Sequence, residues 1–193
     1  MWTRSLVALG LIAYGALTVS SVAANPLSKL LDEVEFKTEI RAHELFIKRR
    51  KADGATLTPF NSDGCSGGLS AGWAFVSAAL PAVEKLHGGR PPWENCCRAH
   101  DMSYHTGGVV DLDAIASFDA RRGTDEELRA CVIGIAEERV DVLSAEYGLR
   151  KEEVRRLYRM IADIMYRAVR FGGAPCSGLP WRWGFGWPPC IFP

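Results

Sequence analysis

The sequence has no excess of basic residues, no zinc-finger spacing and no internal repeat. Its 23 lysines and arginines equal its 23 aspartates and glutamates, so the electrostatic footprint of a nucleic-acid-binding protein is missing. No segment alternates apolar and polar residues as a half-buried strand does. The expected fold class is therefore mainly α, and nucleic acid is not expected as a partner.

A long apolar run occurs only at the start of the chain. Arg4 precedes an apolar run from Leu6 to Leu17, and the small residues Val22-Ala23-Ala24 then offer a cleavage site. We interpret residues 1–24 as a signal peptide, because the run is shorter than the ~20 residues that a membrane span needs. An uncleaved membrane anchor is the alternative. A secreted chain meets an oxidising compartment, where its six cysteines are expected to pair.

Periodic apolar positions and helix-ending signals predict the helices of the remaining chain. Gly107 and Gly148 are expected to follow helices directly, because glycine accepts the left-handed conformation at that position. Thr124 begins the pattern of a capping box, so a helix is expected to start there. The predicted helices cover residues 27–51, 73–86, 93–106, 124–147 and 151–171.

Residues 96–104 read Cys-Cys-Arg-Ala-His-Asp-Met-Ser-Tyr and carry the strongest functional signal. Residues four apart share a face of a helix, so Cys96 lies beside His100 and Cys97 beside Asp101. His100 is a candidate general base, and Asp101 is a candidate metal ligand. Each cysteine can therefore tether another segment next to one of these two residues.

Two such tethers would complete a site. If Cys65 pairs with Cys97, the glycine-rich loop around Cys65 lies beside Asp101, where carbonyl and carboxylate oxygens suit Ca²⁺. If Cys131 pairs with Cys96 on an antiparallel helix, Asp125 comes level with His100, because steps of ~6 and ~9 Å roughly agree. A carboxylate there would fix the histidine tautomer. Asp119 is the next candidate for that role.

The motif, the loop and the second helix together resemble secreted phospholipase A2. That family has a cysteine-containing, glycine-rich calcium loop and a C-C-x-x-H-D-x-x-Y helix, as residues 96–104 do. It also has an aspartate six residues before a cysteine on an antiparallel helix, like Asp125 before Cys131. The resemblance covers about residues 60–135 and is greatest to the divergent group-twelve or bacterial-type members. Ser66 departs from it, because most family loops have glycine after the loop cysteine.

The resemblance implies a mainly α, disulfide-linked fold in which two long antiparallel helices carry the active site. It implies that His100 and Asp125 form a catalytic dyad, with Tyr104 supporting the network around Asp125. Asp101 would bind Ca²⁺ together with carbonyls of the glycine-rich loop, those of Gly64, Ser66 and Gly68. The implied activity is calcium-dependent hydrolysis of the sn-2 acyl ester of glycerophospholipids by a secreted enzyme. The expected disulfides are Cys65–Cys97, Cys96–Cys131 and Cys176–Cys190.

The organisation that follows has a phospholipase A2-like domain at residues 61–173. A helical extension or propeptide at 25–60 precedes it, and an aromatic, proline-rich tail at 174–193 follows it. The tail tryptophans are expected to dock the protein on phospholipid membranes, with core packing as the alternative reading. They are Trp181, Trp183 and Trp187.

Three alternatives stay open at the level of sequence. The same scaffold would serve a lipid- or receptor-binding protein with weak or no hydrolysis. A structural disulfide domain in a toxin or surface assembly would use the tail aromatics as a partner interface. His105 with His100, Asp101 and a thiolate would make a zinc site, which oxidising export disfavours.

Overall fold

A computed structural model describes residues 26–62, 64–65, 87 and 90–190. Over these residues the chain is mainly helical, with four helices and no strand, as expected. The expected signal peptide and the apolar helix at 73–86 lie outside the described residues. No helix in the described part is long and apolar enough to cross a membrane. The helices are α1 (Pro26–Arg50), α2 (Glu94–Thr106), α3 (Ala114–Tyr147) and α4 (Lys151–Gly172).

Two glycines end helices where the sequence predicts. Gly107 follows α2 with a φ of 65°, and its N–H donates to Ser103 O at 3.0 Å. Gly148 follows α3, also with a φ of 65°. Side chains with a Cβ rarely adopt this left-handed conformation, so glycine stabilises both helix ends. The sharp end of α2 turns the chain back towards α3 soon after the 96–104 motif.

The predicted start of α3 at Thr124 is wrong. The helix begins at Ala114, and its N-cap is Asp113, whose side chain accepts a hydrogen bond from Ala116 N–H at 2.8 Å. The residues before Thr124 stay helical because they bury a face that includes Phe118 and Arg121. Burial of this kind outweighs the weak local signal of a capping box in the middle of a helix. The added turns bring Arg121 onto the same helix as Asp125.

The described core has two apolar clusters, and α2 passes between them. α3 packs against α1, α2 and α4. The first cluster joins Cys96 and Cys97 to buried residues of α3 and α4, among them Leu128, Val132, Val154 and Tyr158. The second contains Phe46, Tyr104, Cys176 and Trp183. His100 lies one helical turn after Cys96 and one turn before Tyr104, so the two clusters hold it from both sides.

Three disulfides staple this arrangement, and they are the expected pairs. Cys65–Cys97 attaches the loop before α2 to that helix, and Cys96–Cys131 attaches α2 to α3. Cys176–Cys190 closes the tail after α4. No free cysteine is present in the described part of the chain.

The expected membrane role of the tail tryptophans is wrong for Trp183. Its ring is 1% exposed, and its indole N–H donates to Ser117 Oγ at 3.0 Å. Trp187 is half-buried and donates to Thr106 O at 2.8 Å, while half-buried Trp181 packs over Gly172. These rings pack against the helices because this contact removes their apolar surface from water.

Candidate active site

His100 and Asp125 form a buried hydrogen-bonded pair across α2 and α3. His100 Nε2 lies 2.8 Å from Asp125 Oδ1, and the two residues are 6% and 0% exposed. The Cys96–Cys131 disulfide brings them together, because His100 is one turn forward of Cys96 and Asp125 is six residues before Cys131. Asp119, the other candidate, is exposed and pairs with Arg122. The structure therefore brings together the pair that the motif spacing indicates.

The protonation of this pair follows from the chemistry of Asp125. Burial raises the pKa of this carboxyl, but the hydrogen bond from His100 and the charge of Arg121 outweigh burial, so the net shift is downward. An ionised carboxylate only accepts hydrogen bonds. Nε2–H of His100 therefore donates to Asp125, and the other ring nitrogen, Nδ1, is not engaged by that carboxylate.

Tyr104 fixes the pair from the next turn of α2. Its hydroxyl donates to Asp125 Oδ1 at 2.7 Å, and its ring lies 4.1 Å from the His100 ring, between centroids. Burial raises the pKa of the Tyr104 phenol well above its usual range, so the group remains a hydroxyl and a donor. Trp183 packs edge-on against the same ring at 5.1 Å. The tail thus supports the candidate site from inside the core.

Two arginines that sequence reasoning missed complete the surroundings of Asp125. Arg170 of α4 donates to Asp125 Oδ2 at 2.9 Å, and Arg121 of α3 donates to Tyr104 Oη at 3.1 Å. Both side chains are almost fully buried. The available signal was the four-residue spacing of Arg121 and Asp125 on one helix face. The misplaced start of α3 concealed it.

Helix α1 supplies a carboxylate acceptor to each of these arginines. Glu39 binds Arg121 through one oxygen, and its Oε2 accepts from Arg170 at 3.0 Å. Glu35, one turn earlier, accepts from Arg170 Nε at 2.7 Å. Neither carboxylate was predicted as a site residue, because the sequence presents them only as charges on an amphipathic helix. Glu35 and Glu39 are four residues apart and share one face of α1, and this spacing is the signal that could have identified them.

A second histidine on α1 forms a Ser–His–Glu chain that resembles a nucleophilic triad. His43 Nδ1 lies 2.9 Å from Ser117 Oγ, and His43 Nε2 lies 2.9 Å from Glu39 Oε1. Ser117 and His43 are 0% exposed, and Ser117 already accepts from Trp183. An attacking hydroxyl has to reach substrate, so this chain is structural. It also satisfies the buried groups that hold Glu39.

Of the candidate metal residues, the structure describes Asp101 on α2 and Gly64 in the loop, and Ser62 connects the two. Ser62 Oγ donates to Asp101 Oδ2 at 2.7 Å, and Gly64 N–H donates to Ser62 Oγ at 3.1 Å. Gly64 has a φ of 76°, which turns the loop sharply at the Cys65–Cys97 disulfide. Ser66 and Gly68 lie outside the described residues. The donors near Asp101 are hard oxygens, which fit Ca²⁺ better than a thiophilic metal.

The zinc alternative has no support in the described part of the chain. No group of three or more His, Cys, Asp or Glu side chains there could hold a metal ion. His105 is buried between the rings of Phe60 and Phe185, at 5.4 and 5.1 Å. Cys96 and Cys97, the cysteines on the same helix, are oxidised in disulfides with Cys131 and Cys65, so neither offers a thiolate. A carbonyl-lined site differs from such a cluster because backbone oxygens supply most of its ligands.

An apolar cleft of about 580 Å³ begins within one turn of the dyad. Its wall includes Ser103, three residues after His100, and Thr124, the neighbour of Asp125. Apolar side chains provide most of the lining, among them Leu57, Val109, Val110, Leu112 and Trp183. A larger cleft of about 980 Å³ lies on the Arg170 side of Asp125, but many of its lining residues are charged. The first cleft therefore suits an apolar ligand better.

The buried charges predict acid-sensitive folding. Burial lowers the pKa of His43, so below about 6.5 the unfolded chain takes up a proton that the folded chain does not. Burial raises the pKa of Glu39, but its hydrogen bond with His43 and the charges of Arg121 and Arg170 lower the pKa by more, so the net shift is downward. The folded chain therefore stays ionised there below about 4.3, where the unfolded chain protonates. In both pH ranges the unfolded state binds more protons than the folded state, so the free energy of unfolding decreases as pH falls.

Urea unfolding measured from about pH 7 to about pH 3 should show this as a falling free energy of unfolding. In the Glu39→Gln variant, the free energy of unfolding should depend less on pH below about pH 4.3 than it does in wild type. An unfolding free energy that stays constant over the whole range would contradict the assignment of these buried charges.

The chain matches no protein-family model, and comparisons with curated proteins and with solved structures also gave no match.

Proposed function

We propose that this protein is a secreted, calcium-dependent phospholipase A2 that hydrolyses the sn-2 acyl ester of glycerophospholipids. The observation that carries the proposal is the buried His100–Asp125 pair, in which His100 Nε2 lies 2.8 Å from Asp125 Oδ1. Asp101, the next residue, lies beside the loop that the Cys65–Cys97 disulfide attaches to α2. A base and a candidate metal ligand are thus adjacent on one helix.

The chain's own residues would move one proton during the reaction. His100 Nδ1 takes a proton from a water molecule as the water oxygen bonds to the ester carbonyl carbon. Asp125 stabilises the resulting imidazolium and keeps the ring in place. When the bond to the alkyl oxygen breaks, Nδ1 returns the proton to that oxygen. The products are a fatty acid and a lysophospholipid.

Asp101 and carbonyls of the glycine-rich loop are the proposed calcium ligands. The loop carbonyls are those of Gly64, Ser66 and Gly68. When bound, Ca²⁺ would polarise the ester carbonyl and stabilise negative charge on its oxygen. Asp101 supplies a carboxylate for this, and the positive φ of Gly64 lets the loop backbone turn towards α2.

The antiparallel arrangement of α2 and α3 is part of the proposal. His100 follows Cys96 in α2, whereas Asp125 precedes Cys131 in α3, and both pairs are joined. From the Cys96–Cys131 disulfide to the His100–Asp125 contact, the residue number rises in α2 and falls in α3, which supports antiparallel helix axes. This is the arrangement that the resemblance to phospholipase A2 implies.

The apolar cleft next to the dyad supports a lipid substrate. An acyl chain has no polar atoms, so burying it against residues such as Leu112 and Trp183 is favourable. Val109 and Val110 at the cleft are 72% and 67% exposed. We assign to these valines, in place of Trp183, the contact with the phospholipid surface. The three disulfides support export to an oxidising compartment.

The cleft alone would also suit a lipid-binding protein without hydrolysis. The dyad favours the enzyme, since binding requires neither the His100–Asp125 bond nor the tautomer that it fixes. Fatty-acid release from mixed phospholipid vesicles separates the two functions. Vesicle binding without fatty-acid release would favour the binding protein.

The same assay tests the metal. We expect hydrolysis with Ca²⁺ and loss of activity in excess chelator. Asp101→Asn should weaken calcium binding, measured by calorimetry, and lower turnover, because it removes the carboxylate charge of a proposed ligand. Asp119→Asn is the matched control, since Asp119 is exposed and pairs only with Arg122 among the described residues. Full activity in excess chelator would eliminate the calcium role.

A further inference from the structure

We propose that Arg170, held by the α1 carboxylates Glu35 and Glu39, is a positioning residue for the His100–Asp125 dyad. This inference rests on the proposed function and extends the active site to helices α1 and α4. It assigns a catalytic-support role to residues outside the 96–104 motif and outside the region of resemblance.

The first step is how Asp125 is held. Its Oδ1 accepts from both His100 and Tyr104, and its Oδ2 accepts from Arg170 at 2.9 Å. The carboxylate is 0% exposed, so buried side chains supply its donors in the folded protein. The terminal torsion of an aspartate is soft. Without Arg170, the carboxylate is free to rotate to satisfy Oδ2, and Oδ1 then loses its direction towards His100 Nε2.

The second step is how Arg170 is held. Its guanidinium is planar and presents donors in a fixed fork. One part of the fork faces Asp125, and the other nitrogens bind Glu35 and Glu39. Three acceptors on two other helices therefore fix one rigid group. Since α1 provides two of them, the position of α1 determines where the guanidinium meets Asp125.

The third step is the charge of the cluster. Asp125, Glu35 and Glu39 bring three negative charges, and Arg121 and Arg170 bring two positive ones, so the resting net charge is −1. His43 adds none, because burial lowers its pKa. Charges act strongly in a low dielectric, so the α1 carboxylates compensate the two guanidinium groups and hold them beside Asp125.

Helix α1 is then part of the catalytic unit. If residues 25–60 were a removable propeptide, their removal would take away Glu35 and Glu39 and leave Arg170 without its α1 acceptors. The inference therefore predicts that turnover requires α1.

Steady-state kinetics of Arg170→Ala on a short-chain, monomeric phospholipid tests the role. We expect kcat to fall about 10–100-fold, as for other residues that orient a functional side chain, with KM changed less than about twofold because Arg170 does not touch the apolar cleft. Millimolar guanidinium should restore part of the lost kcat, whereas sodium at equal concentration should not. The kcat of Arg170→Lys should lie between those of wild type and Arg170→Ala, because an ammonium group lacks the forked donors of a guanidinium.

Arg167→Ala is the matched control, because Arg167 is exposed on the same helix and makes no bond to Asp125. It should keep wild-type kcat. Proton NMR gives a second measurement that does not depend on activity. The hydrogen-bonded Nε2 proton of His100 should give a downfield signal that Arg170→Ala weakens and guanidinium restores.

The two proposals fail differently. An inactive wild-type protein would overturn the proposed function, and the NMR signal would still report on the positioning role. An active wild type with unchanged kcat and an unchanged signal in Arg170→Ala would overturn the inference. A loss of kcat that matches the unfolded fraction, without rescue by guanidinium, would also overturn it, since Arg170 would then be structural only.

Discussion

Replacing His100 with glutamine should lower ester hydrolysis by about 10²–10⁴-fold or more while the protein stays folded. Glutamine still offers an N–H to Asp125, so the buried carboxylate keeps a donor. It has no basic nitrogen in the place of Nδ1, so no side chain takes the proton from water. Initial rates of fatty-acid release, with far-ultraviolet circular dichroism to verify folding, measure both halves of this expectation.

His87→Gln is a suitable control for that variant. His87 bonds to Tyr147 at 2.9 Å, remote from Asp125 along α3, so its replacement should leave the rate unchanged. Calcium binding by His100→Gln should also match wild type, because the proposed ligands are untouched. A near-wild-type rate for His100→Gln would remove His100 from the mechanism, even if calcium dependence persisted.

The dyad could be predicted from sequence because its geometry is local. His100 and Asp101 follow Cys96 and Cys97 by one helical turn, so a correct cysteine pairing also places these candidate site residues. Asp125 followed from counting back along α3 from Cys131. Covalent links of this kind leave few geometries open. The helix ends at Gly107 and Gly148 were predictable for a similar reason, since glycine is the common residue in that conformation.

The support of the dyad could not be predicted from sequence, because its contacts are distant along the chain. Arg170 meets Asp125 across 45 residues and Glu35 across 135. A buried arginine and an exposed one look alike in a sequence, and most charged residues are exposed. Only the packing of α1 and α4 against α3 decides which of them enter the core. Packing also decides that Trp183 is a core residue and not the membrane contact that the sequence predicts.

The largest effect on stability is expected from Arg121→Met. Arg121 is 0% exposed, and its guanidinium donates to the carbonyls of Val169 and Arg170, both at 2.8 Å, and to Gly173 O at 3.1 Å. It thereby caps the carboxyl end of α4, and it also binds Glu39. Methionine fills similar volume but removes these three hydrogen bonds, so Val169 O and Gly173 O keep only their backbone donors, Gly173 N–H and Trp183 N–H. It also takes one cation from a buried carboxylate.

Breaking a buried pair by removing one partner costs about 3–5 kcal/mol, a large part of the ~5–15 kcal/mol that stabilises a typical domain. For a chain of this length the thermal midpoint should fall by roughly 6–20 °C. Arg122→Met is the control, because this neighbour is exposed and pairs with exposed Asp119, so it should cost at most about 1 kcal/mol. Urea unfolding of both variants measures the difference. Equal losses would contradict this expectation, because the bonds of Arg121 to α1 and α4 would then contribute no more than a surface ion pair.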